Sequence, residues 1–574
     1  MKTLFSYVRL HAGEMTLGLI IKFFATMMDL MIPYVLEVIL DDIVPQNDIK
    51  LIVTWGVIML LCAAASVTTN ITANRMATKS AGKVTKKLRH DLFRRISYLS
   101  SAQTDSFTES TLISRITSDT YNVNQMLTRV QRLGVRGPIL LIGGIIFTLS
   151  LDAPLTLVLI GMLPLIAVVV YTVTKLSIPL YTKCQAFLDR LVRVVQENAT
   201  GVRIIKALSK SEHERKRFSE ANASLSEEER RVGILMAITN PTTTLVLNVG
   251  LTLIVLIGAH RADSGLTETG TIIAFLSYFT IIIGAMLGIT RIFIVCSKGV
   301  ASANRISEVL NTPDGYPILP EDACERSNPE YRLAFEDVSF SYNKVENNLT
   351  DIDFALKPGD TLGIIGATGS GKTTIVNLVL RFYDPDKGRV LVDGRDIRTI
   401  PLDELRNRIG IAMQNDFIMA GSIRENIDFK RGLDDDAILK AAEIAQATGF
   451  ISRRPEGLDY MLTARGGNLS GGQKQRLLIA RAVAAQPDVL ILDDSSSALD
   501  YKTDADLRKT LSKHFPNMTT IIVAQRISSI MNADCILMLD DGEIIGKGTH
   551  SELLNNCGLY KSISDAQMGG GLNA

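Results

Sequence analysis

The sequence predicts two parts of different kind: an all-α membrane domain of six spanning helices, then an α/β P-loop nucleotide-binding domain. Three observations carry that prediction. Apolar stretches of about twenty residues, the length a bilayer-crossing helix needs, recur before residue 300. Charged residues are scarce in that half and frequent after it. A glycine-rich loop, Gly366-Ala367-Thr368-Gly369-Ser370-Gly371-Lys372-Thr373, follows an apolar strand pattern over Thr361–Ile365 and opens a helical pattern over Lys372–Phe382, the context a phosphate-binding loop requires. With 574 residues the chain is too long for one domain. The boundaries read as 1–306 for the membrane domain, 307–331 for a linker rich in Pro, Asp, Glu and Asn, and 332–574 for the nucleotide-binding domain.

The spans are placed at Met15–Ile39, Leu51–Ala73, Leu133–Leu149, Ala153–Leu176, Ile234–Ala259 and Thr271–Cys296. Connections after the first, third and fifth are short and carry Asp41, Asp42, Asp48, Asp152, Asp263 and Glu268. Those after the second and fourth are long and basic, with Arg75, Lys79, Lys83 and Lys86 in one and Arg190, Arg193, Arg203 and Lys206 in the other. The positive-inside bias puts the long loops, both termini and the nucleotide-binding domain in the cytoplasm, in a multi-pass protein of the plasma membrane. The segment Met1–Glu14 is amphipathic without a small-residue cleavage site, so Leu4, Phe5, Val8 and Leu10 are expected to lie on the bilayer surface. A formal net charge of +1 gives nucleic-acid binding no electrostatic support. The six cysteines have no CxxC spacing and read as scattered reduced thiols.

Lys22, Asp29, Glu37 and Arg291 fall inside the spans. A charge at that depth costs about 3 kcal/mol or more, so it faces a cavity or a partner. Asp29, just before Pro33, has two readings: a cavity-lining group that attracts cationic substrate, or a helix–helix polar contact. Asp41 and Asp42 likewise read either as solvated loop acids or as an outer gate pairing with a partner chain.

The phosphate loop has a direct physical reading. Gly366, Gly369 and Gly371 let backbone N–H groups close round phosphate oxygens. Lys372 reaches the β- and γ-phosphates, and Thr373, followed by Thr374, offers a hydroxyl to Mg²⁺. Asp488–Asp493 is a buried-strand pattern ending in a carboxylate, and Asp493 would hold the metal through water. ATP and Mg²⁺ are therefore the expected cofactors.

About a hundred residues after the loop comes Leu469-Ser470-Gly471-Gly472-Gln473. With the phosphate loop, in this order, it resembles the signature of the ABC ATPase superfamily, and the whole chain resembles an ABC exporter half-transporter. The resemblance implies that Tyr342 stacks on adenine. It implies that Gln414 senses Mg²⁺ and the coupling helices, and that Ser470, Gly471, Gly472 and Gln473 cap the ATP of a second half-transporter. Ser497-Ala498-Leu499-Asp500 would be the D-loop. Phe107–Arg115, followed by Asp119, and Glu197–Ala207 would be intracellular coupling elements.

Two positions depart from the family pattern. Asp494 stands where the family has its catalytic Glu, and Gln525 where it has the switch His. The aspartate is one methylene short, and misplacing a catalytic group by about 1 Å can cost about 10²-fold. Glutamine donates a hydrogen bond but has no titratable proton and no positive charge. Ala464-Arg465-Gly466-Gly467 also lacks the Glu usual before the signature. The chain therefore resembles the degenerate subunit of heterodimeric bacterial multidrug exporters. Its expected function is ATP-driven export of small amphipathic compounds, with a competent partner subunit in the bilayer. A lipid flippase or peptide exporter would share these motifs. An ATP-gated channel or regulatory subunit is a reading from another class.

Overall fold

The computed structural model describes residues 2–320, 329–413, 417–495 and 499–568. The chain forms two compact units, Met1–Ser97 with Thr108–Thr312, and Tyr98–Phe107 with Pro313–Ala574.

The first unit is helical. Its elements are α1 (Lys2–Arg9), α2 (Ala12–Val38), α3 (Ile49–Ser97), α5 (Glu109–Ser114), α6 (Thr120–Arg129), α7 (Arg136–Leu151), α8 (Ala153–Ala207), α9 (Ser211–Asp263) and α10 (Thr269–Leu310); α4 (Ser101–Phe107) belongs to the second unit. Five stretches among the described residues are long and apolar enough to cross a membrane, and Ala153–Val169 of α8 is a shorter apolar run. The hairpin between α7 and α8 follows from local chemistry. Asp152 leaves the helical region and accepts the Leu155 N–H at 3.0 Å, and Pro154 sits in the first turn. Arg261 then pairs with Asp152 at 3.1 Å, tying that turn to the end of α9. The core of this unit gathers Leu30, Leu140, Tyr278, Phe279 and Ile282 from α2, α7 and α10. Small residues allow that approach: a Cβ on Gly144 would stand 2.7 Å from Ile282.

Four sequence expectations are corrected or refined here. Asp41 is engaged within its own chain. Its carboxylate accepts the N–H groups of Gly270 at 2.5 Å and Thr271 at 2.7 Å, so it caps α10 from the far end of α2. Asp29 is a helix–helix contact that also lines a cavity: it pairs with Arg136 at 3.0 Å and accepts a hydrogen bond from Ser66. Lys22 is buried, with its ammonium on the side-chain oxygens of Asn70 at 2.7 Å and Asn74 at 3.2 Å. Leu4 is buried within the unit and does not take the bilayer-surface position expected of it, while Phe5 of the same helix and Leu10 just after it are exposed. The Arg291 side chain lies outside the described residues.

The second unit holds a six-stranded sheet in the order β12-β11-β3-β10-β9-β6, a four-stranded antiparallel sheet β2-β1-β4-β5, and the short pair β7-β8. The strands are β1 (Leu333–Phe340), β2 (Leu349–Leu356), β3 (Thr361–Gly366), β4 (Lys387–Val392), β5 (Arg395–Asp396), β6 (Ile409–Ala412), β7 (Gly421–Ser422), β8 (Met461–Leu462), β9 (Val489–Asp493), β10 (Thr519–Val523), β11 (Cys535–Asp540) and β12 (Glu543–Gly548). The helices are α11 (Lys372–Val379), α12 (Leu402–Asn407), α13 (Ile423–Asp428), α14 (Asp435–Ile444), α15 (Thr448–Ile451), α16 (Gly471–Ala484), α17 (Tyr501–His514), α18 (His550–Asn556) and α19 (Gly558–Met568). Strands β3, β10, β9 and β6 run parallel. Their continuous apolar runs are what a sheet covered on both faces demands, and every residue of β9 is buried.

The segment packed into this unit is Tyr98–Phe107, which ends where the expected coupling element Phe107–Arg115 begins. The Ser101 N–H donates to the Tyr316 hydroxyl at 3.0 Å, Gln103 donates to the Pro313 carbonyl at 2.9 Å, and Tyr383 donates to Asp105. Glu109–Ser114 folds as α5 of the first unit, and Glu197–Ala207 forms the last turns of α8.

Candidate functional site

Strand β3 delivers the chain into the loop Ala367–Gly371, and α11 leaves it. Two glycines there are required by conformation, with φ of +90° at Gly369 and +95° at Gly371. Gly366 is required by space, because a Cβ would stand 2.2 Å from the Leu539 carbonyl oxygen. The Lys372 ammonium folds back over the loop, donating to the carbonyls of Gly366 at 2.9 Å and Ala367 at 2.6 Å and reaching the Ser370 hydroxyl at 3.5 Å. Burial pushes its pKa down, while Asp493 and Asp494 pull it back up. Thr373 is exposed and Thr374 buried; Thr368 is exposed.

Asp493 ends β9 and is buried. Burial first, then the neighbouring Asp494, raises its pKa, and Lys372 opposes them. Asp494 follows in the left-handed region at φ +48°, its N–H bonded to the Val523 carbonyl at 2.9 Å. Its Oδ2 accepts a hydrogen bond from Gln525 Nε2 at 3.0 Å. Gln567 of α19 holds the backbone on either side of Arg526: its amide donates to the Gln525 carbonyl at 2.9 Å and accepts the Ile527 N–H at 2.8 Å.

Tyr342 stands beside the loop and is 44% exposed. Its hydroxyl meets the Thr374 hydroxyl at 3.4 Å and accepts from Asn377 at 3.0 Å. Phe340 and Tyr383 meet the ring edge-on at 4.8 and 4.9 Å. The fold thus gathers Tyr342, Gly366–Thr374, Lys372, Asp493, Asp494 and Gln525 around one site.

The signature residues form a separate feature at the start of α16. Ser470 caps that helix by accepting the Gln473 N–H at 3.4 Å, and Gln473 accepts the Ser470 N–H at 3.1 Å. Gly471 and Gly472 make its first turn. Asp500 caps α17, accepting from the Thr503 N–H at 2.8 Å and hydroxyl at 2.9 Å; the backbone bond leads in lowering its pKa. Gln414, Ser497 and Ala498 lie outside the described residues.

The site suits a nucleotide phosphate chain. The first turn of α11 leaves its N–H groups without intrahelical acceptors, and the left-handed glycines form a concave backbone beside one ammonium. Among the described residues no cluster of three or more His, Cys, Asp or Glu could hold a metal. A Mg²⁺ bound chiefly by phosphates needs only one or two protein oxygens, which Thr373 and Asp493 offer. Sequence reasoning missed Gln567 and Asn377, since neither lies in a motif.

The family description "ABC transporter transmembrane region" matches residues 15–286, and "ABC transporter" matches residues 349–497. The chain is 34% identical over 571 residues to an uncharacterized ABC transporter ATP-binding protein, YfiB, of Bacillus subtilis, covering 99% of both. It is 35% identical to an uncharacterized ABC transporter ATP-binding protein of Mycobacterium tuberculosis, covering 98% of this chain and 96% of the relative. A solved bacterial Atm1-family ABC exporter with ATP bound shares the fold, with a TM-score of 0.81 over 98% of each chain at 23% identity. The chain therefore belongs to the ABC transporter family, with a transmembrane and an ATP-binding region fused in one chain on the fold of that exporter.

Proposed function

We propose that this chain is the hydrolytically impaired subunit of a heterodimeric exporter moving small amphipathic compounds out of the cell. Its own site holds Mg·ATP, and its signature Ser470–Gln473 completes a competent site on the partner. Bound ATP supplies the energy of phosphoryl transfer. In this chain Lys372 and the loop N–H groups hold the phosphates, Thr373, Gln414 and Asp493 serve the metal, and Tyr342 offers an open ring face to the base. The basic long loops support a cytoplasmic position for the site.

The observation that carries the reading is the bond between Gln525 and Asp494. A general base must take a proton from the attacking water. Here the shortened carboxylate already accepts from an amide that carries no proton to relay. Every phosphate-binding group is nonetheless kept. The test is to purify the chain with its co-expressed half-transporter and measure ATPase, transport and nucleotide occupancy. The reading expects a partner carrying Glu and His at the two positions, substrate-stimulated turnover, and ATP retained at this chain's site. A partner lacking that Glu, or conductance without turnover, would overturn it.

A further inference from the structure

We infer that the membrane helices hold a head-group site for acidic amphiphiles, recognised by Arg136 with Asp29 as its internal counter-ion. This rests on the export reading above and names the substrate class that reading leaves open. A cavity of about 660 Å³ lies among α2, α7 and α10. Asp29, Arg136 and Thr280 form part of its polar wall, and Ile32, Leu140 and Leu276 part of its apolar wall. Arg136 stands sixteen residues along the helix from the turn at Asp152, about 24 Å at 1.5 Å per residue. That depth falls within a hydrocarbon core of about 30 Å.

The charges around the cavity do not cancel. Asp29 Oδ2 meets Arg136 Nη2 at 3.0 Å, and Ser66 donates to Oδ1. Asn70 continues the chain, donating to the Ser66 hydroxyl at 3.1 Å and accepting from Lys22 at 2.7 Å. Lys22 reaches two neutral amide oxygens. One carboxylate therefore faces two cations, leaving one positive charge in the network. Arg132, one helical turn before Arg136, adds another nearby; Glu37 is eight residues farther along α2 than Asp29, about 12 Å away.

The geometry also says which cation is available. The Arg136 side chain is 39% exposed and that of Asp29 is 19%, whereas Lys22 is buried. A guanidinium has five N–H donors in a planar fork. Asp29 takes a bond from one nitrogen, and Nε is buried without a hydrogen-bond partner among the described residues. The remaining Nη donors of this part-exposed side chain can serve a second acceptor in the cavity. A carboxylate or phosphate head fits that vacancy by charge and fork geometry, with its chain along Ile32, Leu140 and Leu276. A cationic head would meet net repulsion.

The test uses the complex with its partner subunit in nanodiscs of zwitterionic lipid. The probes are a photoactivatable palmitate and the trimethylammonium of the same chain length, and discs with phosphatidylglycerol form a second arm. Cross-linking to α2, α7 and α10 and the concentration for half-maximal ATPase stimulation are measured. Palmitate should be favoured over the ammonium by about tenfold or more. D29N, which frees Arg136, should tighten palmitate further. R136Q alone leaves Asp29 unpaired in an apolar site, which destabilises the fold; the decisive variant is therefore D29N/R136Q, which removes both charges together and should keep the melting temperature of the complex and lose the acidic preference. Saturation by phosphatidylglycerol alone would support the same chemistry and identify a lipid head group as its source. Equal labelling by both probes, or an acidic preference surviving in D29N/R136Q, would overturn the inference. Labelling does not depend on turnover, so a complex that binds palmitate without hydrolysing ATP would refute the export reading alone.

Discussion

Gln525 donates from its amide to Oδ2 of Asp494 at 3.0 Å, so the side chains at the two positions that depart from the family pattern are bonded to each other. Changing either one alone leaves the other unsuited to a water-activating role. In the proposed heterodimer, with the catalytic Glu expected of the partner changed to Gln, D494E and Q525H should each restore little ATPase. The double variant should restore more than the sum of the two. The partner's Glu→Gln change in an otherwise native complex should lower steady-state ATPase by about 10²-fold or more, whereas D494N should lower it little. Equal losses from D494N and the partner change would mean two equivalent sites.

The phosphate loop separates two reasons for glycine. G366A drives a methyl into the Leu539 carbonyl at 2.2 Å, an overpacking cost of about 3 kcal/mol. G369A meets nothing within 4 Å but must hold φ near +90°, a strain of about 1–3 kcal/mol. Thermal unfolding should therefore show the larger loss for G366A. Filter-bound ATP should fall in both.

Asp493 titrates above the ordinary carboxylate range because it is buried beside Asp494. A carboxyl raised in the folded state gives stability that is present below its unfolded pKa and lost as pH rises through the folded one. D493N should therefore raise the melting temperature of the nucleotide-free complex at neutral pH, and that gain should vanish as pH falls below the ordinary carboxylate value. The same variant should weaken Mg²⁺-dependent ATP retention. In the native chain, retention should fade with acidification at a pH above that of an ordinary aspartate. Calorimetry and retained-nucleotide assays across pH check both signs.

Asp41 accepts two backbone N–H groups at the start of α10. D41A should cost about 1 kcal/mol, the scale of a lost helix cap, and D41N should recover part of it. ATP binding at Lys372 should be unchanged in both. A D41A complex with native melting behaviour would remove the capping role.

What the sequence made legible was what chemistry keeps contiguous. Gly366–Thr373 needs glycines and a lysine at fixed spacing, and the apolar runs need only length, so both can be read from residues in a row. Pairings between distant residues could not be read that way. Asp29 was visible as a buried charge, but nothing in its surroundings named Arg136, more than a hundred residues on. Asp41 looked like a surface acid because its acceptors' partners, Gly270 and Thr271, come two helical hairpins later. Tyr342 was recognisable as an aromatic shortly before the phosphate loop, whereas the hydrogen bond its hydroxyl accepts comes from Asn377, beyond that loop.

Gln567 grips the chain on both sides of Arg526 with one amide group. The last described helix is thereby a handle on the ATP site: moving it by a hydrogen bond's length moves the residue that faces Asp494. A tag, fluorophore or fusion partner joined after α19 would act as a load on that handle, and ATPase rates from such proteins would carry the load's signature.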